Sequence, residues 1–218
     1  MNEPEIDKRL NPLPLRKPAG GNGYDIYPSF KLQDGLIGEG YRSLAERLLK
    51  HRIIVIDGYN GVLWDRFRDE ICAVASEKGY TVQWIDTGQF LRPERVIREM
   101  TSGSSGGEDP LFGKRCELEL SEFYDLTGLA RTAPDNSYDK CVIAGPGAAL
   151  AGWQGLNIYV DIPKNEIQYR ARDGIINNLG IRRPSSPKEM YKRSYFIDWP
   201  VLNRHKAAII GSADLFVD

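Results

Sequence analysis

The chain is poor in the residues that announce common chemistries. It has two histidines and three cysteines in 218 residues. His51 and His205 have no cysteine or second histidine near them in sequence, so no zinc site is expected. Cys72, Cys116 and Cys141 are odd in number and widely spaced, which excludes a disulfide framework and points to reduced packing residues. No apolar run approaches the ~20 residues of a membrane span. The opening "MNEPEIDKRL" has no apolar stretch of a secretory signal, so a cytoplasmic protein is expected. The formal charge of -1 gives no global pull toward nucleic acid or an anionic membrane.

What is present is a well-supplied α/β pattern. Hydrophobic residues make up 41% of the chain, enough to bury a sizeable core in one domain. Residues 1–23, with four prolines and a Gly-Gly-Asn-Gly run, are expected to form an extended or disordered arm. A single domain is expected over 24–218, beginning with an extended "YDIYPSFKL". "EGYRSLAERLLKH" predicts a helix with Leu44, Leu48 and Leu49 on one face. Buried strands are expected at 52–56, in "YTVQWID" ending at Asp86, in "KCVIAG" and in "LNIYVDI", with a last one in "ADLFVD". Between them lie helices. Leu63, Phe67, Ile71 and Val74 form a stripe that Gly79 ends. "RPERVIREM" has Pro93 in its first turn. "ELELSEFYDLTGLAR" reads as mostly helical, "PKNEIQYRARDGIINNL" starts a helix at Pro163, and "MYKRSYFIDWPVLNRHKAAII" is a long helix bearing Pro200. "TSGSSGGEDP" reads as a flexible polar loop.

Strands alternating with helices imply a mostly parallel five-stranded sheet covered on both faces, a three-layer α/β fold. Ligands sit at the carboxyl ends of such strands. Those ends are Asp57-Gly58, Asp86-Thr87, Ala144-Gly145-Pro146-Gly147 and Asp161.

"VIDGYNGVLWD" places a strand, a glycine turn and a helix where phosphates are often held. The phosphate-loop pattern is G-x-x-x-x-G-K-[ST]. From Gly58 the chain reads Gly58-Tyr59-Asn60-Gly61-Val62-Leu63-Trp64-Asp65. Leu63 stands for the second glycine, Trp64 for the lysine and Asp65 for the hydroxyl residue. Gly58, Tyr59, Asn60 and Gly61 remain as a candidate backbone cradle. Asp57 and Asp65 are candidate magnesium ligands, although an acid in a first helical turn is favoured for its own sake.

On "VQWIDTGQF", "VIAGPGA" and "IYVDIPKNEIQYRARDG" the chain resembles the uridine-kinase branch of P-loop kinases over residues 50–218. That resemblance implies Asp86 as catalytic base, Arg170 and Arg172 as lid arginines, and ATP with magnesium as cofactors. Ala144 replaces the acid expected at the third strand. With the lysine and hydroxyl also missing, the site reads as degenerate, and both cofactors are put in doubt. An i, i+2 arginine pair does not share one helix face. The longer run from "YDIYPSFKL" through "MYKRSYFIDWPVLN" resembles the kinase-like N-terminal region of bacterial class I phosphomannose isomerase fusions. It implies a sugar or small phosphate ligand and an isomerase (cupin) domain beyond Asp218. Isomerase activity itself is not expected of these residues. "VIDGYNGV" also looks like the opening of PIN-like nucleases, in which Asp57 with Asp86 or Asp214 would hold metal. The third reading is a non-catalytic module for ligand sensing or partner docking.

Overall fold

The computed structural model describes residues 35–107, 109 and 111–218; the expected arm and "YDIYPSFKL" lie outside them. Residues 39–218 form one compact unit. Five strands make its sheet: β1 (Ile53–Gly58), β2 (Val82–Asp86), β3 (Lys140–Ala144), β4 (Leu156–Val160) and β5 (Leu215–Val217). Their order is β2-β3-β1-β4-β5 and every pairing is parallel. The apolar run at 53–56 takes the central position because both its faces are covered.

Alternation along β1 divides the core in two. Ile54 and Ile56 join Val142, Ala144, Ile158 and Val160 on one face. There they pack under α1 (Gly40–Leu48) and α2 (Trp64–Glu77) through Leu48, Phe67, Ile71 and Val74. Val55 and Ile143 face the other way, toward Ile97 of α3 (Glu94–Thr101), Leu129 of α4 (Leu126–Ala130) and Ile167 of α5 (Lys164–Arg172). Side chains at i and i+1 of a strand point to opposite faces, so one apolar run feeds both layers. Gly79 follows the end of α2 with φ +75, the left-handed conformation expected just past a helix end.

Two elements differ from expectation. Residues 117–131 do not form one helix. A 3₁₀ turn at Leu120–Phe123 is followed by extended Tyr124, and Asp125 then accepts the Thr127 and Gly128 N–H groups to start α4. An aspartate that caps a new helix competes with continuing the old one. The last long helix begins earlier, at Pro187, and is composite: α6 (Pro187–Arg193), a π turn (Ser194–Asp198) and α7 (Trp199–Ile209). Pro200 is the cause. It has no N–H to give the Phe196 carbonyl, and that carbonyl instead accepts the Cys116 N–H at 2.7 Å. The Trp199 N–H reaches back five residues to Ser194.

The connection leaving β3 is held to close tolerance. Gly145 has φ +125, and a Cβ there would lie 2.2 Å from Thr87 Oγ1. Gly145→Ala is expected to combine backbone strain with overpacking and to destabilise the domain by roughly 2–6 kcal/mol. A lowered denaturant midpoint with an unchanged m-value is the expected result; an unchanged midpoint would show that the turn yields.

Candidate functional site

Asp57, at the carboxyl end of β1, is 2% exposed. Its Oδ1 accepts the Gly58 N–H at 2.7 Å and the Gly147 N–H at 3.1 Å; its Oδ2 accepts the Ala149 N–H at 2.9 Å. His205 Nε2 of α7 stands 2.8 Å from Oδ2 and is also buried. Both carboxylate oxygens accept amides, so His205 Nε2 is assigned as the donor to Oδ2. Both oxygens are thus taken by the fold. Asp65 is 85% exposed at its side chain and pairs with Arg68. The pair proposed from sequence as a magnesium site therefore lacks one open member.

The connection between β1 and α2 does not make a phosphate cradle. The Gly58 N–H is bound to Asp57, the Tyr59 N–H donates to Val160 O at 2.9 Å, and the Trp64 N–H to Val62 O at 3.0 Å. Tyr59 is a core residue whose hydroxyl donates to Asn203 Oδ1. The Trp64 indole lies 2.9 Å from where a Gly58 Cβ would stand, so the ring fills space beside the glycine. Gly61 has φ +106, and Ile167 and Ile176 close over it at 3.1 and 3.3 Å from its ideal Cβ. Asn60 Nδ2 donates to Asn177 O at 2.9 Å, and Arg170 Nη1 to Gly61 O at 2.8 Å. A triphosphate does not fit this loop. Its amides at Gly58 and Tyr59 point elsewhere, no lysine answers the charge, and two isoleucines cover the turn.

The two lid arginines part as their spacing requires. Arg170 Nε pairs with Glu166 while its Nη1 holds the loop. Arg172 faces a separate cavity. Asp86 ends β2 and caps the following 3₁₀ turn, its Oδ1 accepting the Gly88 N–H at 2.7 Å. It also lines a cleft of about 700 Å³ along the carboxyl edge of the sheet. Arg92 and Arg182 line the same cleft, as do Arg66, Gln89, Asn177 and the acids Asp65 and Glu94. Neither Arg92 nor Arg182 makes a side-chain ion pair among the described residues. Asp214 accepts the Asn157 N–H at 2.8 Å, and among the described residues no three His, Cys, Asp or Glu side chains form a metal-holding group. The nuclease constellation is not assembled.

The segment linking α5 to α6 walls this cleft and is fastened from behind. Asp198 of the π turn is 1% exposed; its Oδ2 accepts Asn178 Nδ2 at 2.6 Å and the Leu179 N–H at 3.2 Å. Arg193 Nε approaches Oδ1 only to 3.6 Å. Arg182 N donates to Glu94 Oε2 at 3.0 Å. Sequence patterning gives no sign of Asp198, His205 or Asn178, because each finds its partner through the packed layers.

Both buried acids yield predictions. Asp57→Asn replaces one acceptor with a donor that faces donors, and is expected to cost about 3–5 kcal/mol. An unfolding midpoint equal to wild type would refute that assignment. Burial raises the Asp198 carboxyl above the usual range, against the opposing pull of Arg193. Below the unfolded value of ~3.9 both states are protonated and the group is silent. As pH rises through the raised native value, folded stability is lost. Asp198→Asn should remove that falling segment from a plot of urea midpoint against pH; identical slopes in the two proteins would contradict it.

Comparison with known proteins places this geometry. The family described as "Domain of unknown function (DUF8485)" matches residues 40–218. No curated protein matches. A crystal structure of a "putative fructose transport system kinase" from Silicibacter sp. TM1040 superposes with a TM-score of 0.51 at 14% identity. The match covers 83% of this chain and 100% of that one. The fold is therefore kinase-like, with a five-stranded parallel sheet between helical layers.

Proposed function

We propose that this chain, which belongs to the DUF8485 domain family, is a ligand-binding module on a kinase-like scaffold that takes a phosphorylated polyol or sugar without transferring phosphate. The observation that carries this reading is the bonding of the loop: the Gly58 and Tyr59 amides are held by Asp57 and Val160 O, and Ile167 and Ile176 fill the space over Gly61. Phosphoryl transfer depends on positioning and charge neutralisation at that loop, and Trp64 and Asp65 stand where the pattern's lysine and hydroxyl residue would serve it.

The cleft that the loop borders stays open between residues 60–66 and Asp86. Asp86 keeps its Oδ2 available as an acceptor for hydroxyl groups, because only Oδ1 is engaged by the turn. Arg92 and Arg182 offer planar, multidentate donors suited to a phosphate. A volume of about 700 Å³ lies within the range of small-molecule sites. A sugar phosphate is also the ligand class implied by the resemblance to isomerase fusions. The structural neighbour, a fructose transport system kinase by its description, adds fructose to the set worth testing.

One observation favours a second reading. Asp86 stands at the end of β2 and at the cleft, where the uridine-kinase resemblance puts a catalytic base. In that case the loop would have to open for ATP.

Isothermal titration separates the two. Millimolar ATP with magnesium should give no binding heat, whereas a panel of hexose and pentose phosphates should give saturable binding. Asp86→Asn and Arg92→Gln should each weaken that binding about tenfold, in keeping with the loss of one charge-assisted hydrogen bond of roughly 1.5 kcal/mol. Magnesium-dependent ATP binding with phosphorylation of a sugar would overturn the module reading in favour of the second.

A further inference from the structure

A second cavity, of about 350 Å³, lies between α5 and α6 and shares no lining residue with the cleft. Gln168 and Arg172 enter it from α5, Lys188 and Tyr191 from α6, Ser194 from the π turn and Trp199 from α7. Three features of this cavity converge.

The first is a cluster of aromatic rings packed edge to face or tilted. Tyr191, Tyr195 and Trp199 contact one another, with ring centroids 6.4, 5.8 and 6.3 Å apart for the pairs 191–195, 191–199 and 195–199. In a strict α-helix two four-residue steps accumulate about 80° of drift, which would carry residue 199 away from residue 191. The π turn at 194–198 adds a residue to the winding and brings Trp199 back against Tyr191. π turns in helices recur at functional sites. Tyr191 is 46% exposed, so this residue is open to a ligand as well as completing the cluster.

The second feature is charge. No acidic side chain lines the cavity, and both Arg172 and Lys188 do. Neither cation forms an ion pair among the described residues. Lys164, an exposed residue outside the cavity lining, holds its Nζ 5.7 Å from the Trp199 ring centroid and 5.0 Å from that of Tyr59. The third feature is size. About 350 Å³ is near the small end of ligand sites, enough for one ring system and one anionic group.

We propose that this cavity binds a small organic anion built from a flat aromatic or heteroaromatic ring and a phosphate or carboxylate. The ring packs on Tyr191 and Trp199, where aromatic pairs gain from edge-to-face or offset geometry. The anion is taken by Arg172 and Lys188. The site is independent of the cleft and of what the cleft binds.

The test is calorimetric titration of the full chain with phenyl phosphate, benzoate, inorganic phosphate and phenol. Phenyl phosphate or benzoate should bind at least tenfold more tightly than inorganic phosphate and than phenol. A tighter phenyl phosphate identifies the group as a phosphate, a tighter benzoate as a carboxylate. Arg172→Gln combined with Lys188→Gln should weaken binding at least tenfold, and Tyr191→Ala at least fivefold. These exposed side chains are chosen so that the thermal midpoint stays at the wild-type value. Three results would each overturn the proposal: no binding of either ring-bearing anion at 10 mM on the order of the weakest ligand affinities, inorganic phosphate binding as tightly as phenyl phosphate, or variants that bind as wild type does. Loss of binding in Asp86→Asn would also overturn it, by placing the ligand in the cleft.

Discussion

The structure depends on a buried carboxylate. Asp57 sits where the central strand ends, and its two oxygens bind three backbone amides and one imidazole. Those partners come from β1 itself, from the turn after β3 and from α7. A buried charge of this kind is costly unless every lone pair is answered, and buried amides in a tight turn are costly unless they find an acceptor. Each requirement meets the other here. The Gly145-Pro146-Gly147 turn supplies amides and also uses its own carbonyl, since Thr87 and Tyr124 hydroxyls both donate to Pro146 O. The carboxyl edge of the sheet is thereby tied together at the position where related folds keep a ligand.

That arrangement determines what the loop after β1 is free to do. With Asp57 holding the Gly58 amide and Val160 O holding that of Tyr59, the backbone turns into the protein rather than toward an anion. Tyr59 follows it into the core. The segment after α5 then meets the loop through Asn177, while Arg170 of α5 holds Gly61 O, and a polar latch at Asp198 holds that segment from the far side. The open volume lies between this loop, residues 60–66, and Asp86. A shared scaffold does not imply a shared chemistry, and here the difference can be traced to which groups the backbone amides are bonded to.

Much of the fold was legible because it rests on short-range pattern. The run 52–56 was readable as a buried strand and Gly79 as a helix stop, whereas "MYKRSYFIDWPVLNRHKAAII" reads as one long helix and is interrupted by the π turn before Pro200. The misread stretch at 117–131 has enough helix formers to suggest continuity, but Asp125 prefers to cap and restart. Asp86 was readable both as a strand-end residue and as a turn cap, and it is both. The separation of Arg170 from Arg172 followed from helical spacing alone.

The amino-acid sequence by itself determined the layers, the strand ends and the failure of the phosphate-loop motif, since periodicity and residue identity act over a few positions. It could not reveal that Asp57 would be closed off by residues 90 and 148 places away. Nor could it reveal that Asn60 would meet Asn177, or that a π turn would bring Tyr191 and Trp199 together. Those outcomes depend on which polar groups the packed layers bring within hydrogen-bonding distance, and only the tertiary structure decides that.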